Sequence, residues 1–99
     1  SLALHFAPEP ARVLAEAARV LKPAARLLVI DMTPHDREEY RAEMGHVWLG
    51  FGESQITGWL AGAGFEQIAY HPLPVHPAAK GPTLFAAVGR KSPSSGLAH

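Results

Sequence analysis

Nine basic against nine acidic residues leave this 99-residue chain formally uncharged at pH 7, so no bulk electrostatic attraction directs it to nucleic acid or an anionic membrane. Hydrophobic residues make up 47% of it, enough for one small core, and the absence of cysteine excludes a disulfide framework, a thiolate metal site and a cysteine nucleophile. No apolar run approaches the roughly 20 residues that cross a bilayer, and no signal peptide is recognisable.

Pro8-Glu9-Pro10 opens the first predicted helix, because proline is tolerated in a first turn whose N–H groups have no partner anyway. Val13, Leu14, Ala17, Ala18 and Leu21 then fall on one face, with Arg12, Glu16 and Arg19 opposite. Pro23 disfavours helix at Lys22 and ends the element. Leu27-Leu28-Val29-Ile30 shows no polar alternation, which predicts a strand of a parallel sheet covered on both faces. Asp36 and Glu39 have the spacing of a capping box for a short polar helix to about Met44, closed by Gly45. An aromatic loop from His46 to Gly52 leads into a helix over 53–63 that buries Ile56, Trp59, Leu60 and Ala63. Gly64 suits the left-handed position beyond it, with Phe65 folding back on the last turn. Residues 65–70 and 83–89 read as strands, joined by a loop with Pro72, Pro74, Pro77 and Pro82 that allows an antiparallel return but no tight hairpin. Residues 91–99 are polar, small and proline-containing and are expected to be a disordered tail behind a 1–90 domain.

A helix stopped by proline and followed by an apolar strand ending in Asp31 is half of a βαβ repeat. The wording of five segments goes further: Ser1 to Pro10, Arg19 to Leu27, Asp31 to Asp36, Gly45 to Phe51 and Trp59 to Phe65. In that order they resemble the second half of a class I S-adenosylmethionine-dependent methyltransferase. The wording is most similar to the type-11 group that includes the ubiquinone/menaquinone enzymes, and in particular to the methyltransferase domain behind an ArsR-type winged helix. The resemblance implies an α/β fold, the carboxyl-terminal half of a doubly wound, Rossmann-like sheet with an antiparallel strand near its edge, here 83–89. It also implies methyl transfer from S-adenosylmethionine to a small-molecule acceptor in the cytoplasm. The glycine-rich loop and ribose-binding acid of such a domain have no counterpart in these residues. The chain therefore reads as a truncated piece, inactive alone, that binds the cofactor weakly or not at all. Ala24-Ala25 stands where the family has a glycine pair, so a left-handed turn there carries strain.

By the same resemblance Ser1 and His5 line the cofactor, and His5 is the residue to take a proton if one must leave. The alternative for His5 is an ordinary structural hydrogen bond in a loop. Asp31, at the same rim, either orients substrate or accepts N–H groups of the following turn. His35, His46, Trp48 and Phe51 are candidates to line an acceptor pocket. The other reading of Trp48 and Phe51 is packing between helix and sheet. His35, Asp36 and His46 match no standard zinc spacing, so no metal is expected. His71 and His76 are expected in solvent. A competing function is a non-catalytic dimerisation or sensing module of a methyltransferase-like regulator, self-associating through faces exposed by truncation. No nucleic-acid contact is expected through this segment.

Overall fold

The computed structural model describes residues 2–38, 48–74, 78 and 81–93. Helix α1 spans Pro10–Val20 and is followed by strand β1, Arg26–Met32. Helix α2 spans Glu53–Gly62, and strands β2, Phe65–Pro72, and β3, Leu84–Lys91, complete the order. Pro10 occupies the start of α1, and Leu21 leaves the helix in an extended conformation two residues before Pro23. Both prolines act as their chemistry requires. Gly64 takes φ +98°, the left-handed geometry that releases the chain from α2 into β2. The short polar helix expected after Asp36 and the residues of the expected tail from 94 onward lie outside the described residues.

The three strands form an antiparallel sheet in the order β1-β3-β2. Here the structure corrects the sequence reading twice. First, β1, expected in a parallel sheet, pairs antiparallel with β3 (Val29 with Ala87), and β3 in turn pairs antiparallel with β2 (Ala87 with Tyr70), one place in from that end of the three-stranded sheet. The α2 crossover returns the chain parallel to β1 but one strand-width away, and β3 fills that gap in the opposite direction. Parallel pairing of β1 is confined, among the described residues, to one bridge, where the Leu2 N–H donates to Leu28 O (2.9 Å) and the Ile30 N–H to Leu2 O (3.0 Å).

Second, among the described residues the two faces of β1 are covered unevenly: Val29 and Asp31 are buried on one, while the other buries Met32 and leaves Leu28 partly exposed. Leu4, Leu14, Ala18, Val29, Phe51, Ile56, Leu60, Phe65, Phe85 and Ala87 form a single buried cluster that joins both helices to one side of the sheet. Leu28, one residue out of phase with Val29, is 38% exposed, as is Leu84 at 42%. Alternation along the strand sends these side chains to the opposite face. The final strand also runs further than expected: Lys91 pairs with Phe65, and the Ser92 N–H donates to Gly64 O. These residues belong to the fold.

Candidate functional site: a carboxylate-clamped turn

The polar centre of the molecule lies at the Met32 end of β1. Asp31 shares the helix-covered face with Val29, and its side chain is completely buried. A buried carboxylate costs several kcal/mol unless its oxygens are satisfied. Each oxygen takes two donors. Oδ2 accepts the Leu4 N–H (2.6 Å) and the His5 N–H (3.0 Å). Oδ1 accepts the Met32 N–H (2.8 Å) and lies 2.8 Å from His5 Nδ1. Since a carboxylate only accepts, this last contact requires the proton on Nδ1, and a neutral imidazole then carries its lone pair on Nε2.

The segment carrying His5 is a tight turn closed by the Ala7 N–H on Leu4 O (2.9 Å). His5 and Phe6 are its two corner residues. Asp31 grips the N–H side of the turn, and Trp48 grips the carbonyl side. The Trp48 backbone N–H donates to His5 O (3.1 Å), and the indole N–H donates to Ala7 O (2.8 Å). The N–H groups of Leu4 and His5 and the carbonyls of His5 and Ala7 thus all find partners outside the turn. The arrangement fixes both position and tautomer of one imidazole before any ligand arrives.

Trp48 is itself held in an aromatic cluster. Its ring centroid lies 5.4 Å from that of Phe51 and 5.6 Å from that of Trp59, in the range of favourable offset and edge contacts. Phe51 is fully buried, and its carbonyl accepts the Tyr70 hydroxyl (3.0 Å). Its ring therefore packs and offers no surface to a ligand. Burial raises the pKa of Tyr70, with a smaller contribution from the charge of Glu53. Gly50 completes the anchor. It has φ +91°, and a Cβ there would sit 2.1 Å from Thr33 O, so only glycine lets the loop press against the end of β1. The Phe51 N–H on Met32 O (2.9 Å) and the His35 N–H on Leu49 O (3.0 Å) close the same junction.

Of the residues singled out in the sequence, the structure thus brings His5, Asp31 and Trp48 into one network. His35 is half-buried at its margin, where Nδ1 accepts the Arg37 N–H (3.2 Å). Ser1 and His46 lie outside the described residues. His71 is exposed on β2. Asp31 takes N–H groups as the structural alternative foresaw, but chiefly from residues 4 and 5 rather than from the turn that follows it. Sequence reasoning missed the two donors of Trp48, because an indole N–H bound to a backbone carbonyl leaves no pattern in the chain. A cleft of about 330 Å³ runs along α1, lined by Ala7, Pro8, Glu9, Arg12, Val13 and Glu16. It touches the turn only through Ala7 and contains neither His5 nor Asp31.

Both oxygens of Asp31 are spent inside the protein, and Asp31 is the buried charged side chain of the described residues. Asp31 therefore has no oxygen left to grip the ribose or amino-acid end of S-adenosylmethionine, and this carboxylate does not fit that role.

No family model matches this sequence, and no curated protein does. Among solved structures, the fold is similar to that of a SAM-dependent methyltransferase from Thermotoga maritima, recorded as a possible histamine N-methyltransferase, with a TM-score of 0.63 and 22% identity. The match covers 91% of this chain and 54% of the other, so the chain spans about half the length of its structural neighbour. The small three-stranded α/β unit built around Asp31 thus has the fold of one half of a known methyltransferase.

Proposed function

We propose that this chain is the carboxyl-terminal half of a Rossmann-like, type-11 S-adenosylmethionine-dependent methyltransferase domain, and that it forms the acceptor side of the active site. The observation that carries this reading is the His5–Asp31 pair at the end of a strand whose one parallel partner leads directly into His5. Open α/β sheets build their ligand crevices at such strand ends. The match to just over half of a longer methyltransferase supports the division of labour. The cofactor-gripping residues belong to the other half, and this half supplies the base.

Within that reading His5 accepts, at Nε2, the proton that an N–H or O–H acceptor must lose. Asp31 is a positioning residue that holds Nδ1–H and favours the imidazolium once it forms. In this proposal His35 and Trp48 flank the acceptor pocket. Histamine, named for the structural neighbour, carries N–H groups of the kind this base would serve. Among the described residues, no helix is long and apolar enough to cross a membrane.

The test has two arms. Calorimetric titration of this chain with S-adenosylmethionine should give a Kd no tighter than about 1 mM; micromolar binding contradicts the assignment of the grip to the other half. In a protein that joins this segment to a cofactor-binding half, His5→Ala should cut methyl transfer by about 10²-fold or more. Unchanged turnover rejects His5 as the base.

A second reading is favoured by the exposure of Leu28 and Leu84 on one face of the sheet. There the chain is a dimerisation or sensing module, without catalysis. Sedimentation separates the two: concentration-dependent self-association abolished by Leu28→Lys favours the module, and a monomer at all concentrations removes it.

A further inference from the structure

Four charges alternate in sign along the solvent side of α1: Glu9 at its N-cap, then Arg12, Glu16 and Arg19. Their side chains are between 63% and 81% exposed. The opposite side of the helix is the buried one, with Pro10, Leu14 and Ala18. Within the chain the four charges form two pairs at i,i+3, Arg12 with Glu9 (3.5 Å) and Arg19 with Glu16. Exposed pairs of this kind add little to stability, and each carboxylate and guanidinium has bonding capacity beyond one partner. Apolar surface accompanies the charges. Val13 lines the cleft with Ala7 and Pro8 at one end of the stripe, and Val20 is 64% exposed at the other.

The order of charges is its own complement when reversed. Glu9 and Arg19 stand five residues to either side of Leu14, and Arg12 and Glu16 two, each pair of opposite sign. We propose that this face of α1 docks a second copy of the chain, whose α1 runs antiparallel about a two-fold axis at the level of Leu14. Glu9 then faces the partner's Arg19, and Arg12 faces the partner's Glu16. The symmetry repeats both contacts within about 15 Å of helix. A parallel neighbour in register would set like charge on like, so the pattern selects one orientation. The same axis brings Val20 to the level of the partner's Pro8, at the cleft of about 330 Å³, so each copy covers apolar surface of the other. An anionic partner would meet the two arginines and be repelled by the two glutamates. This contact lies on the helical side of the sheet, away from Leu28 and Leu84, and is independent of the role of His5.

Sedimentation equilibrium of the 99-residue chain tests this with two charge variants. One carries Arg12→Glu and Arg19→Glu and makes the stripe wholly acidic; the other carries Glu9→Arg and Glu16→Arg and makes it wholly basic. The parent chain should dimerise at low salt, and raising the salt from about 0.05 M to about 0.5 M should weaken the dimer about tenfold. Each variant alone should self-associate about 100-fold more weakly than the parent, because every cross-pair becomes a like-charge contact. An equimolar mixture of the two restores all the opposite pairs and should recover the dimer to within about fivefold of the parent. That recovery also shows that neither set of substitutions has damaged the fold, and the salt response of the parent needs no substitution at all. A parent chain that stays monomeric overturns the proposal and leaves the face to a partner of other chemistry. A dimer that ignores salt, one that survives either variant alone, or a mixture no better than its components also overturns it. A dimer lost on Leu28→Lys but indifferent to the charges of α1 overturns it as well and assigns association to the sheet face.

Discussion

The two ends of β1 are closed by different means. At the Arg26 end the work is done by backbone: the Ala24 N–H donates to Lys91 O (3.0 Å), the Lys91 N–H to Ala25 O (2.8 Å), and the Ala25 N–H to Lys22 O (3.0 Å). The Lys91 ammonium adds a bond to Leu21 O, the last carbonyls of α1 being natural partners for a cation. At the Met32 end the closure depends on one buried carboxylate and one indole, with partners drawn from residues 4, 5, 7 and 48. Backbone closure depends little on which side chains are present. Side-chain closure is specific and fragile, and it leaves an imidazole held in one orientation at the rim. That asymmetry is why the Met32 end is the place to look for chemistry.

The largest blow to the asymmetry is Asp31→Ala, which strands the N–H groups of Leu4, His5 and Met32 in the interior. A loss of about 3–5 kcal/mol is expected, read as a drop in the denaturant midpoint. Asp31→Asn should not rescue it. Each oxygen takes two donors, so the amide NH₂ faces N–H groups whichever way it is turned. Next comes Gly50→Ala, which forces a Cβ onto the Thr33 carbonyl at a positive φ; about 3 kcal/mol of destabilisation is expected in the same measurement. Trp48→Phe keeps the aromatic packing but leaves Ala7 O without its donor, for a loss of about 1 kcal/mol and faster amide exchange in the Leu4–Ala7 turn.

The opposite end should respond with the opposite sign. Ala24 sits at φ +68°, so Ala24→Gly relieves left-handed strain of about 1 kcal/mol and loses part of it to unfolded-state entropy. A small net rise in Tm is expected there, and no rise contradicts a strained backbone closure. The smallest effect is ionic. Burial raises the Tyr70 pKa, helped by Glu53, so the folded state resists deprotonation of this phenol. Its contribution to stability is present below the unfolded tyrosine pKa of about 10 and is lost as pH rises through the higher folded value. Phenolate absorbance of Tyr70 should accordingly appear later in a titration of the folded chain than of the unfolded one.

The contrast also explains what could be read in the chain. Pro10 and Pro23 mark the limits of α1 because proline acts locally, and the run from Leu27 to Ile30 marks β1 for the same reason. The left-handed turn at Ala24 was legible as strain wherever glycine was missing. The position of β3 between its neighbours was not, because strand order depends on where the crossover through α2 lands. The uneven cover of β1 was equally hidden: an apolar run states that burial is favourable, without saying what does the burying. At the site, His5 and Asp31 each stood out singly. Their contact spans 26 residues of sequence, and the second clamp depends on Trp48, 41 residues from Ala7. The bulge in β2 between Glu66 and Ala69, where Gln67 takes φ +51°, has no sequence signal that we can identify.

The most direct test is long-range ¹H–¹⁵N NMR of the His5 ring in mildly alkaline buffer, where a neutral histidine declares its tautomer. The clamp predicts Nδ1 protonated and Nε2 bare in the parent sequence, with that preference lost in Asp31→Asn. A ring found chiefly protonated at Nε2, or one whose tautomer ignores the change at Asp31, would contradict the account.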